Sequence, residues 1–451
     1  MELELKEKLK RFIDILRENN TITISTVSRD GKLWSTKAYY GEEDGYIYVI
    51  LENKGRAFNN IKENPNVFFV IEKGEPIRFI QGEGEVEIIG HIDNFEKERT
   101  IVVRKNFPIV PFVKAVRDCS VIRIKPKKVY VSDFSKGFIP RFEIEFDEKT
   151  FNLLKQMFPK PSKLKAYIQA TRPWVIGITI SAVIIGTLLS PKIDILKFIL
   201  TLIGAVLIHL GVNAWSDYFD YKKGADRWDT LGSSRTIVDG LLKPKEVLMV
   251  GTTLILVSVI IGIILTLMTS FDLLKILIIG AILGLFYAFV PIGFKYIALG
   301  DLAVFLAWSF ISLGSYYIQT LEFSPVPFLA FIPISLLVVG ILHGNNMRDI
   351  ADDKRAGYLT FAGILGIKAS QIYYSLLIIS SYVTLILLVA FKILPIWTLI
   401  ALLTIPSALR NVEWAFKPNY IQFGMLDFYT AQLSNSLSIF IIFGLLMNRI
   451  L

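Results

Sequence analysis

From residue 174 onward the chain is a succession of apolar runs, most about twenty residues long, and no other feature constrains its fold as much. A bilayer core of roughly 30 Å takes about 20 helical residues to cross. Nine such runs can be read, near 174–190, 195–213, 247–269, 272–291, 300–319, 326–344, 371–391, 396–410 and 432–450, the eighth being short. They predict an all-α membrane bundle of nine transmembrane helices over 171–451. The average composition, 53% apolar and 20% charged, hides this, because residues up to about 160 are charged and strand-like.

Composition removes several classes. One cysteine, Cys119, excludes a disulfide scaffold. His91, His209 and His343 are the only histidines and lack ligand spacing, which argues against a His/Cys metal enzyme. The apolar content excludes a disordered chain. In a membrane protein the net charge of +9 fits basic loops better than nucleic-acid binding. The first 19 residues are charged throughout and have no apolar core, so they do not read as a signal peptide. Leu5, Leu9, Phe12, Ile13 and Leu16 recur there at helical spacing.

Lys222, Lys223, Arg227, Arg235, Lys243, Lys245, Lys295, Arg348, Lys354, Arg355, Lys368 and Lys417 lie in the loops 214–246, 292–299, 345–370 and 411–431. That bias predicts a multi-pass protein of the cytoplasmic membrane, with these loops and the N-terminal domain in the cytoplasm.

Between the first helix and residue 140, short runs rich in Val, Ile, Tyr and Thr alternate with Gly, Asn and Asp. They predict a mostly antiparallel barrel over 1–140. A stretch mixing charge and proline, 141–170, reads as a linker and basic interfacial helix, with Trp174 at the headgroup level. The order helix, TVSRDGKLWSTKAYYG, YIYVILENKGRAFNNIKENPNVFFVIE, IQGEGEVEII resembles the split-barrel flavin-binding domains of the pyridoxamine-phosphate-oxidase-like superfamily, over about 5–135. The resemblance implies FMN, with its phosphate near Ser35, Thr36, Lys37, Asn53, Lys54 and Arg56, and a homodimer through paired barrels. A barrel kept only as a dimerisation or regulatory module is the other reading.

The informative polarity of the membrane part sits at two places. In GVNAWSDYFDYKKGAD, Asn213, Asp217 and Asp220 share a helix face, Gly224 breaks the helix, and Asp226 folds back. In HGNNMRDIADDKRAG, Asn345, Asp349 and Asp353 are four apart, with Gly357 as the stop. A carboxylate costs about 2.5–3.5 kcal/mol at mid-membrane and less near the interface. Two such sets of like charge call for cations, and oxygen-only ligands suit Mg²⁺. Lys222, Lys223 and Arg235 beside the first set, and Arg348, Lys354 and Arg355 beside the second, suit a diphosphate held jointly by metal and basic groups.

These strings, with RPW, LGSSRTIVDG, FYAFVPIGFKYIALGDL and NNMRDIADDKRAGYLT, resemble the UbiA superfamily of intramembrane prenyltransferases over about 165–450, nearest the 1,4-dihydroxy-2-naphthoate polyprenyltransferase branch. The resemblance implies transfer of a polyprenyl group from an allylic diphosphate to a quinone-precursor-like aromatic acceptor. It implies Asp220, Asp226, Asp349 and Asp353 as Mg²⁺-diphosphate ligands, Asn213 as support, Lys295 and Arg235 on the diphosphate, and Tyr287 in the prenyl or acceptor pocket. Ser216 departs from the family's usual Asn, and Lys354 from its usual Arg. Asp217 is expected as general base, with Tyr218 and Phe219 as candidates to stabilise an allylic cation. Three other readings stand beside this one. A membrane CDP-alcohol phosphotransferase also uses Asp and Mg²⁺, but in one compact motif. A transporter would carry its coupling acids mid-span rather than at span ends. In the third, the membrane part anchors a flavin reductase.

Overall fold

The computed structural model describes residues 2–74, 77–106, 108–134, 141–289, 293–419 and 421–451. Contacts divide the chain into two compact units, Met1–Ser162 and Lys163–Leu451.

The first unit is built on α1 (Glu2–Glu18), β1 (Thr21–Val27), β2 (Leu33–Glu43), β3 (Tyr46–Glu52), α2 (Arg56–Glu63), β4 (Asn66–Glu72), β5 (Arg78–His91), α3 (Glu96–Lys105), α4 (Ile109–Val116), β6 (Cys119–Asp133), β7 (Phe142–Glu145) and α5 (Glu148–Met157). The antiparallel sheet runs β3-β2-β1-β4-β5-β6-β7, and a further β3–β6 pairing closes six strands into a barrel. Closure is possible because β6 is 15 residues long: 119–124 pair with β3, and 128–131 with β7. Strand β1 alternates half-buried and buried residues, the period of a strand with one face on a core. That core takes Leu9, Phe12 and Leu16 of α1, Ile22 and Ile24 of β1, Phe69 of β4 and Ile122 of β6. Gly82 lets β5 pass Phe69, since a Cβ there would lie 2.4 Å from its ring.

The stretch 141–170 departs from a linker. Strand β7 extends the sheet, and Phe151 and Leu154 of α5 are buried in the barrel core. Asp147 caps α5 by accepting from Thr150 N at 2.7 Å. The sequence disguised this because Pro159 and Pro161 punctuate the chain only after α5 has ended.

The second unit contains α6 (Lys163–Ala170), α7 (Gly177–Leu188), α8 (Ile195–Lys223), α9 (Pro244–Met268), α10 (Leu273–Ala288), α11 (Gly300–Thr320), α12 (Val326–Arg355), α13 (Phe361–Ala390), α14 (Ile405–Ala415), α15 (Ile421–Gly424) and α16 (Leu426–Ile450). Among the described residues six helices are long and apolar enough to cross a membrane: α8, α9, α11, α12, α13 and α16. A seventh arises if the 52° bend between Lys163–Val175 and Gly177–Leu188 is one broken span. Among the described residues the expected count of nine is not confirmed. Helix α10 has only 16 residues, and the run 396–410 is split between a 3-10 segment, Ile396–Thr404, and α14. Apolar composition marks such runs without revealing that a helix is short or broken.

Helix α9 exposes Met249, Leu256, Ile260, Ile263 and Leu267, a surface suited to lipid and costly in water. Small residues set the closest helix contacts, as membrane packing favours. A Cβ on Gly186 of α7 would meet Ser312 O of α11 at 2.1 Å, and one on Gly211 of α8 would meet Gly251 O of α9 at 2.9 Å.

Candidate active site

Helices α8 and α12 each run past their apolar part into an acidic last turn, and both turns open onto one cavity of about 820 Å³. Asn213, Ser216, Asp220, Asp226, Asn345, Asp349, Asp352 and Asp353 all line it, so both acid sets share one chamber. The wall is otherwise largely apolar and continues past Tyr287 to Leu273 and Ile318 at the opposite ends of α10 and α11.

Asp220 is the most heavily contacted acid. Lys295 Nζ donates to Asp220 Oδ2 at 2.5 Å and to Ser216 Oγ at 2.7 Å. Tyr296 Oη and Tyr358 Oη each donate to Asp220 Oδ1 at 3.0 Å. Burial and the Asp220 charge push both phenols above their ordinary range, which keeps them protonated as donors. Lys223 Nζ lies 3.9 Å from the Tyr296 ring centroid. The loops meet because Leu359 N donates to Tyr296 O at 3.1 Å and Arg355 Nη2 is 3.5 Å from Asp229 Oδ2.

The turn after α8 folds as the glycine suggested. Gly224 takes φ 75°, and Ala225 N and Asp226 N donate to Asp220 O at 2.9 and 3.3 Å. Burial, with the Asp220 and Asp217 carboxylates nearby, pushes the Asp226 carboxyl well above the usual aspartate range. In the second set Asp353 Oδ2 is buried without a hydrogen-bond partner. Asp349 is held through both oxygens by Arg348, at 2.8 Å from Nε and 2.7 Å from Nη2.

Several sequence expectations fall elsewhere. Asp217 pairs with Arg172 and accepts from Ser234 N at 2.9 Å, so its carboxylate is engaged in holding the loop rather than free as a general base. Asn213, Ser216 and Asp220 form the cavity stripe of α8 in place of Asn213, Asp217 and Asp220. Arg235 has φ 62° and donates to Thr230 O at 2.8 Å, Trp228 O at 3.2 Å and Asp239 Oδ1 at 3.0 Å, an arrangement that braces the loop. Arg348 also reaches Gly424 O and Asp427 Oδ2, both at 3.1 Å, which ties α12 to the start of α16. Lys222 and Lys354 are exposed outside the cavity wall. Tyr218 and Phe219 pack ring on ring at 5.2 Å and do not line the cavity.

Sequence reading gave no role to Arg172, Tyr296 or Tyr358. Arg172 and Lys295 are the two basic side chains of the cavity wall among the described residues. The signals were present: Arg172 opens RPW, Tyr296 lies within FYAFVPIGFKYIALGDL and Tyr358 within NNMRDIADDKRAGYLT.

Among the described residues no three His, Cys, Asp or Glu side chains converge closely enough to hold a metal between them. The donor set still fits Mg²⁺, which usually takes one or two carboxylates and completes its shell with water and substrate phosphate. Oxygen donors from both acid sets, one of them the orphaned Asp353 Oδ2, meet that pattern.

In the first unit, Arg56 lies 4.7 Å over the Trp34 ring, which brings the 53–56 turn beside β2. Ser35 and Lys37 lie on an exposed part of β2, and Lys54 and Arg56 are exposed. Asn53 Nδ2 donates to Asp118 Oδ1 at 2.6 Å.

Comparison with known proteins agrees with this organisation. Residues 178–422 match the UbiA prenyltransferase family model, and residues 5–133 match the pyridoxamine 5'-phosphate oxidase model. The chain is 29% identical over 293 residues to UbiA prenyltransferase domain-containing protein 1 of Danio rerio, covering 63% of this chain and 85% of that one. The protein of that name from Dictyostelium discoideum is 33% identical over 240 residues, 51% of this chain and 72% of that one. A solved structure of a digeranylgeranylglyceryl phosphate synthase matches 63% of this chain and 99% of its own, at 20% identity and a TM-score of 0.46. The chain belongs to the UbiA prenyltransferase family: it is a multi-pass membrane prenyltransferase that carries a pyridoxamine 5'-phosphate oxidase-like domain at its N-terminus.

Proposed function

We propose that the protein transfers a polyprenyl group, in a Mg²⁺-dependent reaction, from an allylic diphosphate to an aromatic acceptor of the quinone-precursor type. The observation that carries this reading is the single cavity walled by both acid sets at one end and by apolar residues along the rest. Asp220, Asp226, Asp349 and Asp353 would hold the metal, which when bound neutralises charge on the diphosphate. Lys295 and Arg172 supply cations for the same headgroup. Negative charge grows on the diphosphate as the allylic C–O bond breaks, and these cations favour that change. Tyr287 lines the cavity near Lys295, and its ring would favour an allylic cation passing its face. The apolar wall keeps out water that would capture the cation. The acceptor ring closes the new carbon–carbon bond, and the departing diphosphate takes the displaced ring proton.

Release of diphosphate from geranylgeranyl diphosphate tests the reading. It requires Mg²⁺ and an aromatic acceptor, and chelation by EDTA abolishes it. Metal-independent release would contradict it.

The N-terminal domain binds FMN in this reading, with the phosphate near Ser35, Thr36, Lys37, Asn53, Lys54 and Arg56. The exposed cations beside the start of α2 support it. A flavin spectrum after reconstitution tests the binding, and gel filtration of the solubilised protein tests a homodimer through the barrel. The basic bias of the cavity-end loops supports a cytoplasmic position for them and the barrel, in the cytoplasmic membrane. Protease accessibility in oriented vesicles tests that side.

A further inference from the structure

Along α8, His209, Asn213, Ser216 and Asp220 fall on one helical stripe, and all four line the cavity. The first three carry no carboxylate, and His209 is the deepest. Eleven residues of α-helix put it about 16 Å along the axis from Asp220. An imidazole in an apolar membrane cavity is costly unless its polar atoms are used.

One side of the ring is used. His209 Nδ1 lies 2.7 Å from Thr179 Oγ1, and Trp308 Nε1 donates to that same oxygen at 3.1 Å. The Trp308 and His209 rings meet edge to face at 5.3 Å. The donor inventory then assigns the tautomer. Indole can only donate, so it takes one lone pair of the Thr179 oxygen; among the described residues no other acceptor takes that hydroxyl's proton, which therefore goes to Nδ1. The proton of the neutral ring is then on Nε2. That atom has no hydrogen-bond partner among the described residues, and its side chain forms part of the cavity wall.

We infer that His209, held in place by Thr179 and Trp308, binds the aromatic acceptor by donating from Nε2 to an oxygen on the ring edge farthest from the diphosphate. The inference deepens the prenyl-transfer reading and rests on it. A diphosphate of about 5 Å, a forming bond and a fused two-ring system of about 7 Å, sizes set by bonds of about 1.3–1.5 Å, nearly fill the interval between Asp220 and His209. An acceptor with a hydroxyl or carbonyl at its far edge would meet this donor. One lacking that oxygen would leave it unpaired, and sites built to pair with a substrate oxygen discriminate on that ground.

The test uses the full-length protein in detergent with geranylgeranyl diphosphate and two acceptors, 1,6-dihydroxynaphthalene and 1-naphthol, which differ by one oxygen on the ring edge far from the reacting carbon. The unaltered protein should prefer the dihydroxy acceptor by about tenfold or more in kcat/KM. His209→Phe keeps a ring and removes the donor. It should bring the preference close to parity by raising KM for the dihydroxy acceptor, with KM for geranylgeranyl diphosphate unchanged. His209→Gln, which can still donate, should keep part of the preference. Trp308→Phe loosens the ring support and should weaken the preference less than His209→Phe does. A preference that survives His209→Phe, or a KM effect confined to the prenyl donor, overturns the assignment and leaves the prenyl-transfer reading intact. Failure of the unaltered protein to prenylate either acceptor overturns both.

Discussion

Tyr358 lies just beyond the end of α12, yet its phenol donates at 3.0 Å to Asp220 of α8, 138 residues earlier in the chain. The bond joins the two acid-bearing halves of the cavity mouth and aims an acceptor-rich carboxylate at the chamber. A hydrogen bond to a charged group contributes about 1.5–3 kcal/mol. Tyr358→Phe should therefore lower turnover by about tenfold or more and also lower the thermal unfolding midpoint. Steady-state diphosphate release checks this, and unaltered turnover would mean that Asp220 does not depend on Tyr358.

Asp349 and Asp217 should separate cleanly as asparagine variants. Asp349 lines the cavity and is held on both oxygens by Arg348, so Asp349→Asn should cut turnover at least about a hundredfold, as loss of a charge-stabilising group does. Asp217 binds Arg172 and the backbone of Ser234. Asp217→Asn should lower the unfolding temperature, and the pH profile of the remaining activity should keep its shape. A lost acidic limb in that profile would restore Asp217 as a proton acceptor.

How much of this was legible beforehand follows from what each signal encodes. Spacing of four between Asn345, Asp349 and Asp353, and Gly224 after α8, mark both acidic turns in the sequence. A shared helix face does not say which of two neighbouring carboxylates meets a cation from another segment, and here Asp217 is the one that meets Arg172. Arg235 makes a similar point: a basic residue near acids can brace its own loop, as its bonds to Thr230, Trp228 and Asp239 do. Tyr296 and Tyr358 went unassigned since their importance lies in a contact across the sequence. The membrane character was readable from the apolar runs, but the shortness of α10 and the break within 396–415 were not.

Helix packing makes a stability prediction independent of chemistry. At Gly186 any Cβ would strike the Ser312 carbonyl, backbone that cannot rotate away. Gly186→Ala should cost about 1–3 kcal/mol, the usual range for overpacking. Thermal unfolding in detergent checks it, and an unchanged midpoint would mean that α7 and α11 are farther apart than described.

Cys119 offers a pH test of the barrel. It is the only cysteine, is buried on β6, and its thiol is pushed up to about 11 by burial and then by Glu52 and Asp118. Since the thiolate is the nucleophile, native protein at pH 8 should resist alkylation, and the rate should climb as pH approaches the raised value. Unfolded protein should react readily at pH 8. Labelling monitored by mass spectrometry reads both, and fast native labelling would contradict the closed barrel.

The most direct measurement is an experimental structure of the protein with Mg²⁺ and an unreactive prenyl thiodiphosphate. The account predicts one diphosphate in the cavity mouth, bridged through metal to Asp220 or Asp226 on one side and to Asp349 or Asp353 on the other. A headgroup bound by one acid set alone, or seated outside the cavity, would contradict it.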